Sequence, residues 1–456
     1  MIENNAAFAL AITIIKAIQL AGGHTFFVGG AVRDRIRGVD SKDIDLEVYG
    51  IASEELRLLL ERIGSVNAIG ESFTVYKIGP IDIALPRRES KTGRGHRGFT
   101  VTGEPNLTVK EALKRRDFTI NAIAWDPLTD QYLDPYSGRK DLAKKLLRAV
   151  DLNTFADDSL RVLRAIQFAA RFNLEVETQT KLICQNIKLD DLPSERIWGE
   201  FEKLILKASQ PSIGFQLARE LGIIKQLFPE MAALIDCPQE PEWHPEGDVW
   251  THNLLVIDNA RNRINDLPRP QQITVMLGAI CHDFGKPATT AFLDGRIRSY
   301  NHEQAGISPT ETFLDRLNIH SLDGYNIRQQ VLGLVAHHLK PGMWHKAHND
   351  VGDGAFRRLA KKVNLELLAR LAKSDCLGRA GQFDCSAMDW FLDRARALGV
   401  QYQPPKPLLM GRHLLSLGLF PSPKFGKILA QVYEHQLDGT VQTLEEAIKL
   451  ARTMIK

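Results

Sequence analysis

The spacing of apolar residues along the 456-residue chain changes once. Up to about residue 150, short apolar runs and alternations mark strands, with helical stretches between them. Beyond Asn153 the three-to-four spacing of helices takes over. The N-terminal stretch reads as a helix ending at Gly22-Gly23, and the run Phe26 to Val28 then meets a Gly29-Gly30 turn and a short helix opening near Val32. That turn aims backbone N–H groups at whatever lies over it and predicts a phosphate seat. The next apolar run carries Asp43 and Asp45 two residues apart, so on a strand both carboxylates share a face. Like charges held that close repel, and a divalent cation relieves them.

Ser53 to Ile63 reads as an amphipathic helix, and Thr74 to Ile83 as strands broken at Gly79-Pro80. Asp82, between Ile81 and Ile83, is a candidate third carboxylate, with a strand-edge acid facing water as the open alternative. A glycine-rich basic stretch follows, with Arg87, Arg88, Lys91, Arg94, His96 and Arg97 among Gly93, Gly95 and Gly98. It suits a phosphate-seeking loop or a solvated one. Val109 to Asp126 reads as a helix then a strand, with Arg115, Arg116 and Asp117 at the junction. There, guanidinium forks match phosphate oxygens and a carboxylate can accept from a ribose hydroxyl.

A helix predicted from Asp157 puts Leu160, Leu163, Ile166 and Phe168 on its apolar side, leaving Asp158, Arg161 and Arg164 on or near another face. Asp158 and Arg161, three apart, are expected to be helix neighbours. A carboxylate beside a guanidinium complements the exocyclic amine and ring acceptor of cytosine and adenine. Guanine and uracil would leave that carboxylate unpaired, at roughly 1–3 kcal/mol. Ser194 to Lys207 and Ile213 to Phe228 are further amphipathic helices, and Pro238 to Pro245 reads as a linker.

Length alone predicts two to four domains, and 44% hydrophobic with 25% charged residues is an ordinary globular balance. A net charge of +3 means that any nucleic-acid surface must be a local cluster. Five cysteines without a C-x-x-C spacing predict free thiols in a reducing cytoplasm, and no apolar run reaches transmembrane length. The second half carries another constellation: His252, His282-Asp283, His302, His337-His338 and Asp375, mostly in helical contexts, with Lys286 placed to meet phosphate. Imidazoles and carboxylates from several helices can converge on one or two metal ions with room for a water. Near the C-terminus, Gly418 and Pro421-Ser422-Pro423 precede a helix opening near Phe425.

The GG-x-V-R-D sequence followed by D-x-D resembles the nucleotidyltransferase signature of the DNA polymerase beta superfamily, in the form found in class II tRNA nucleotidyltransferases and bacterial poly(A) polymerases. R-R-D-F-T-I-N-A is similar to that family's second motif. The resemblance implies that Asp43 and Asp45 bind Mg²⁺, that Gly29, Gly30, Arg33 and Arg116 hold phosphates, and that Asp117 and Asn121 serve the ribose side. It places a mobile loop at the glycine-rich basic stretch. D-D-S-L-R looks like the E-D-x-x-R template motif, implying that Asp158 and Arg161 read the base with Arg164 nearby. Asp157 departs from the usual Glu there, and Gln167 from the usual Arg. The ordered histidines and aspartates resemble an HD-superfamily phosphohydrolase, which implies a divalent transition metal on some of His252, His282, Asp283, His302, His337, His338 and Asp375.

The implied fold is α+β: a polymerase-beta-like head over 1–150, a helical neck over 151–235, an all-helical HD domain over 236–395 and a helical tail over 396–456. The implied activity is template-independent addition of CMP and AMP from CTP and ATP to tRNA 3′ ends, with a second phosphohydrolase activity, in a cytoplasmic protein. The alternatives are a poly(A) polymerase, a partial CC- or A-adding enzyme, and a non-catalytic tRNA-binding protein. A poly(A) polymerase would not be expected to carry the HD set.

Overall fold

The computed structural model describes residues 6–40, 43–69, 75–91, 99–347 and 350–455. Most of the basic stretch, including Arg94, His96 and Arg97, lies outside the described residues. The chain divides into two compact units, Met1–Leu204 with Gln216–Ile223 and Ile205–Phe215 with Ile224–Lys456. The division falls within the expected neck, and the expected linker at 238–245 lies inside the second unit. Among the described residues no helix is long and apolar enough to cross a membrane.

The first unit is built on a seven-stranded sheet. Its strands are β1 (His24–Val28), β2 (Ile44–Tyr49), β3 (Asn67–Ile69), β4 (Val75–Ile78) and β5 (Ile81–Ala84), with β8 (Ala124–Asp126) and β9 (Gln131–Leu133) after a separate β6–β7 hairpin (Arg87–Lys91, Phe99–Gly103). The order is β3-β4-β5-β2-β1-β8-β9, with β2 and β5 parallel and the other neighbours antiparallel. The pleat of β2 sends Ile44, Leu46 and Val48 into the core, where they join Ile14 and Ile18 of the Ala6–Leu20 helix, Phe27 and Ile83. Asp45 and Glu47 are left on the opposite face.

The helix expected from Asp157 begins instead at Leu160 and runs to Phe172. The Asp158 carboxylate accepts the Leu160 N–H at 3.2 Å, so it occupies a donor at the helix start and leaves Asp157 and Asp158 in the preceding turn.

In the second unit, the helices Val249–Arg261, Arg269–Cys281, Ile327–His337 and Leu365–Leu377 pack together around side chains such as Val256, Met276, Leu334 and Leu371. The expected HD region is not all-helical. Thr290–Leu293 and Arg296–Ser299 form an antiparallel hairpin closed by Asp294 and Gly295, whose φ values of 51° and 75° are those of a tight hairpin turn. The expectation of five free thiols is also corrected: Cys376 and Cys385 form a disulfide, nine residues apart, because the chain after the Leu365–Leu377 helix folds back before Ser386–Ala397 begins. Cys184, Cys237 and Cys281 are free and buried.

Candidate functional site

The sheet of the first unit sets up a ledge of acids. Register pairs Asp45 of β2 with Asp82 of β5, so the two carboxylates stand side by side, with Asp43 two residues before Asp45. Burial pushes the Asp45 carboxyl up; Arg116 opposes that shift, while Asp82 and Asp43 add to it. Lys77 pairs with Asp82 at 3.2 Å.

Gly29 caps the Gly30–Ile36 helix with φ 70°, a conformation that disfavours a side chain. A Cβ there would lie 2.9 Å from Arg116 Nη1 and 3.4 Å from Asp45 Oδ2. One turn thus brings the glycine pair, an arginine and the metal-type acid together. Arg116 Nε is buried without a hydrogen-bond partner, and an acceptor supplied from outside the chain would satisfy it.

Other expected residues are committed to each other. Arg33 is buried, donates to Asn121 Oδ1 at 2.8 Å and to both oxygens of Asp34 at 3.0 Å, and lies over the Phe172 ring at 4.4 Å. Asn121 donates to Asp117 Oδ1 at 3.0 Å, beside the Phe118 N–H at 2.8 Å. Arg164 donates to Asp117 Oδ2 at 2.7 Å. Both Asp117 oxygens are therefore occupied, and the residue fastens the Leu160–Phe172 helix to the R-R-D junction. Asp158 and Arg161 are not paired, contrary to expectation, because Asp158 precedes the helix. Asp158 takes both Nη groups of Arg196 at 3.1 and 3.2 Å, and Arg161 donates to the carbonyls of Thr154 and Arg115 at 2.9 and 2.7 Å. Sequence reading passed over two members of this region. Glu47, two residues beyond Asp45, is buried with Arg115 at 2.9 Å and the Tyr49 hydroxyl at 2.7 Å, and Arg196 is the partner of Asp158. Period-two spacing from Asp45 was the available signal for Glu47.

The second unit gathers a buried imidazole–carboxylate cluster. His252, His282 and Asp283 could hold one ion, and Asp283, His302 and His338 another. Asp375 Oδ1 lies 3.0 Å from His252 Nε2 and 4.0 Å from His282 Nε2. His337, the last residue of the Ile327–His337 helix, is outside both groups, and burial pushes it down to about 4.

The Nδ1 atoms of His282, His302 and His338 each lie 2.8 Å from a backbone carbonyl, those of Ala279, Ser299 and Val335. A carbonyl only accepts, so each Nδ1 carries the proton and each Nε2 turns a lone pair inward. His302 and His338 Nε2 then face each other at 3.2 Å, two lone pairs with no proton between them, an arrangement that a bound cation stabilises. His282 Nε2 is buried without a hydrogen-bond partner, as a ligand atom of a metal would be. Burial, then the neighbouring His302 and His282 rings, push His338 down to about 3, which keeps it in the ligating form.

Two further residues support this cluster: Glu246, which sequence reading passed over, and Lys286, which it expected to meet phosphate. Glu246 accepts from His252 Nδ1 at 2.8 Å, from His244 Nδ1 at 2.9 Å and from the Ala380 N–H at 3.0 Å. Lys286, 2.8 Å from Asp283 Oδ2, also donates to Gln239 at 2.7 Å. The cluster opens on a cavity of about 640 Å³.

Two protein families match the first half of the chain. The Poly A polymerase head domain family matches residues 25–148, and the family described as the probable RNA and SrmB-binding site of polymerase A matches residues 171–235. The multifunctional CCA protein of Mannheimia succiniciproducens is 38% identical over 304 residues, 65% of this chain and 70% of that protein. That of Xylella fastidiosa strain 9a5c is 34% identical over 375 residues, 79% of this chain and 86% of that protein. Among solved structures, the fold is similar to a Bacillus stearothermophilus CCA-adding enzyme in complex with CTP, with a TM-score of 0.65 at 18% identity over 98% of each chain. It is also similar to a Thermotoga maritima CCA-adding enzyme complexed with tRNA, with a TM-score of 0.58 at 20% identity over 99% of this chain and 96% of that one.

Proposed function

Since the chain belongs to the family of the multifunctional CCA proteins, we propose the following assignment of chemistry to its residues. The protein is a tRNA nucleotidyltransferase that adds CMP and AMP to tRNA 3′ ends from CTP and ATP, without a nucleic-acid template. Its nucleotidyltransferase site is metal-dependent, and the ion assigned to it is Mg²⁺. Asp43 and Asp45 would hold the metal, with Asp82 as the neighbouring third acid. When bound, Mg²⁺ supplies the positive charge that favours attack of the tRNA 3′-hydroxyl on the α-phosphorus and departure of pyrophosphate.

The chain's own groups do the rest. The Gly29-Gly30 turn seats the triphosphate with Arg116, whose buried Nε supports a phosphate contact. Arg33, Asn121, Asp117 and Arg164 form the hydrogen-bonded frame behind the nucleotide, holding the motif around Asp117 against the Leu160–Phe172 helix. Asp158 and Arg161 are assigned to the base edge, which they would meet by exchanging their present partners, Arg196 for Asp158 and the Thr154 and Arg115 carbonyls for Arg161. The observation that carries this reading is the meeting of Gly29, Arg116 and Asp45 at one turn. Incubating the protein with tRNA ending before C, after CC and after CCA, each with a single nucleoside triphosphate, tests it. Addition of C, C and then A only is expected, and equal use of UTP or GTP would overturn it.

The second unit adds a metal-dependent phosphohydrolase acting on phosphate mono- or cyclic diesters, a reading carried by the facing His302 and His338 nitrogens. His252, His282, Asp283, His302, His338 and Asp375 would hold one or two divalent transition-metal ions, and Lys286 would meet phosphate. The setting assigned is the cytoplasm. Hydrolysis of 2′,3′-cyclic nucleotides under added Ni²⁺, Co²⁺ or Mn²⁺, set against protein stripped of metal, tests this part.

A further inference from the structure

One wall of the cavity in the second unit has a property that the metal cluster does not require. The hairpin Thr290–Leu293/Arg296–Ser299 pairs Phe292 with Ile297 and Thr290 with Ser299. Residues opposite one another, and residues two apart, share a face of a β-ribbon. Phe292 therefore stands on the same face as Ile297 and Ser299, both of which line the cavity, level with Ile297 and nearer the hairpin tip than Ser299. The face starts at the cluster itself, since the Ser299 carbonyl receives His302 Nδ1.

Trp243 lines the same cavity, and its neighbour His244 packs against the His252 ring with centroids 4.7 Å apart. The turn bearing Trp243 is fastened to the hairpin twice: Glu240 accepts the Ile297 N–H at 2.9 Å, and Glu242 pairs with Arg296 at 3.0 Å. Turn and hairpin thus make one continuous wall, running from buried imidazoles to two aromatic rings that are 47% (Trp243) and 73% (Phe292) exposed.

Rings this exposed fill no core. Single-stranded nucleic acid is held by aromatic faces on which bases stack. The two rings are separate on a wall that leads to a hydrolytic cluster, which suits successive bases of a substrate better than a flat protein or lipid surface. We propose that this wall is a stacking platform for the last nucleotides of a single-stranded RNA end whose terminal phosphoester is delivered to the His/Asp cluster. Trp243 takes the terminal base and Phe292 the base before it. The inference rests on the phosphohydrolase reading of that cluster.

The test uses full-length protein loaded with Mn²⁺ and three esters: a base-free ribose 2,3-cyclic phosphate, a mononucleoside 2′,3′-cyclic phosphate, and a trinucleotide ending in the same cyclic phosphate. Values of kcat/KM are expected to rise by about tenfold with each base that stacks. Trp243→Ala removes the first step, Trp243→Phe keeps most of it, and Phe292→Ala removes only the second, with bound Mn²⁺ measured throughout as a check on the fold. Equal kcat/KM for the three esters, or persistence of both steps in the two alanine variants, overturns the platform while leaving the hydrolase intact. Absence of hydrolysis of all three by the wild-type protein overturns the hydrolase reading and the platform together.

Discussion

The acids of the β2–β5 ledge and the imidazole cluster of the second unit are both arranged for cations, from opposite materials. The ledge is set by backbone register: Asp45 stands beside Asp82 because β2 and β5 are parallel, and the exposed Asp43 and half-buried Asp45 and Asp82 offer hard oxygen atoms with water at hand. The cluster is set by side chains: His282, His302 and His338 are each oriented by a carbonyl on Nδ1, and His252 by Glu246, all of them buried. An open oxygen site suits a weakly held, exchangeable Mg²⁺, whereas a buried, oriented nitrogen site suits a transition metal that stays bound.

That contrast can be broken in order of expected effect. Asp45→Ala should lower incorporation of CMP and AMP by about a thousandfold or more, since it removes a ligand from the reacting centre. Hydrolysis of a cyclic nucleotide by the same variant should be unchanged, and parallel loss of both activities would show that the centres are not independent. The reciprocal double variant His282→Ala with Asp283→Ala should lose hydrolysis and at least about a hundredfold in transition-metal affinity, read by elemental analysis after dialysis, with tRNA end addition retained.

Glu246→Gln sharpens the comparison from the side of the cluster, since Glu246 orients His252. Loss of a carboxylate behind a ligating histidine should weaken metal binding by about ten- to a hundredfold, measured by competition with a chelator. In the first unit, Arg196→Ala should relax discrimination of CTP and ATP against UTP and GTP by about tenfold, while the KM for the triphosphate moves less. Single-nucleotide incorporation assays decide it.

The smallest effect concerns His337, which lies beside the cluster yet outside it. Its folded value of about 4 is below the ordinary 6.5, so between those values the unfolded chain binds the extra proton. Its neutral form is accommodated above pH 6.5, and stability falls as pH drops through that window. His337→Leu, compared with wild type in metal-free protein by denaturant titration, should flatten that slope.

How much of this was legible depends on how local each feature is. The strand–Gly-Gly–helix turn and the D-x-D pair need only neighbouring residues, so Gly29, Asp43 and Asp45 could be read directly. The membership of Asp82 followed from alternation, although its pairing with Asp45 depends on a parallel register that no local pattern contains. The expected Asp158–Arg161 pair failed because the helix begins at Leu160, three residues later than expected, with Asp158 accepting the Leu160 N–H in the turn before it. Glu246 and His244 sit in an irregular turn, and only the fold brings Glu246 to the Ala380 N–H and His252 to Asp375. The hairpin was marked by Asp294-Gly295 between two short runs, a signal overshadowed by the surrounding helical pattern. The Cys376–Cys385 bridge had no marker, since its spacing matches no local motif.

The two charge pairs behind the nucleotide site differ in how readily they can move. Asp117 is buried, with its oxygens taken by Phe118, Asn121 and Arg164, and freeing such a group costs about 3–5 kcal/mol. The pair of Asp158 and Arg196 leaves about a quarter of each side chain exposed, and separating it costs about 1 kcal/mol or less. A catalyst that must accept cytosine twice and adenine once in the same place needs a part that re-aims between rounds and a part that keeps its bearing. On the assignment proposed above, Asp117 would keep its bearing while Asp158, more cheaply released from Arg196, would be the part free to re-aim.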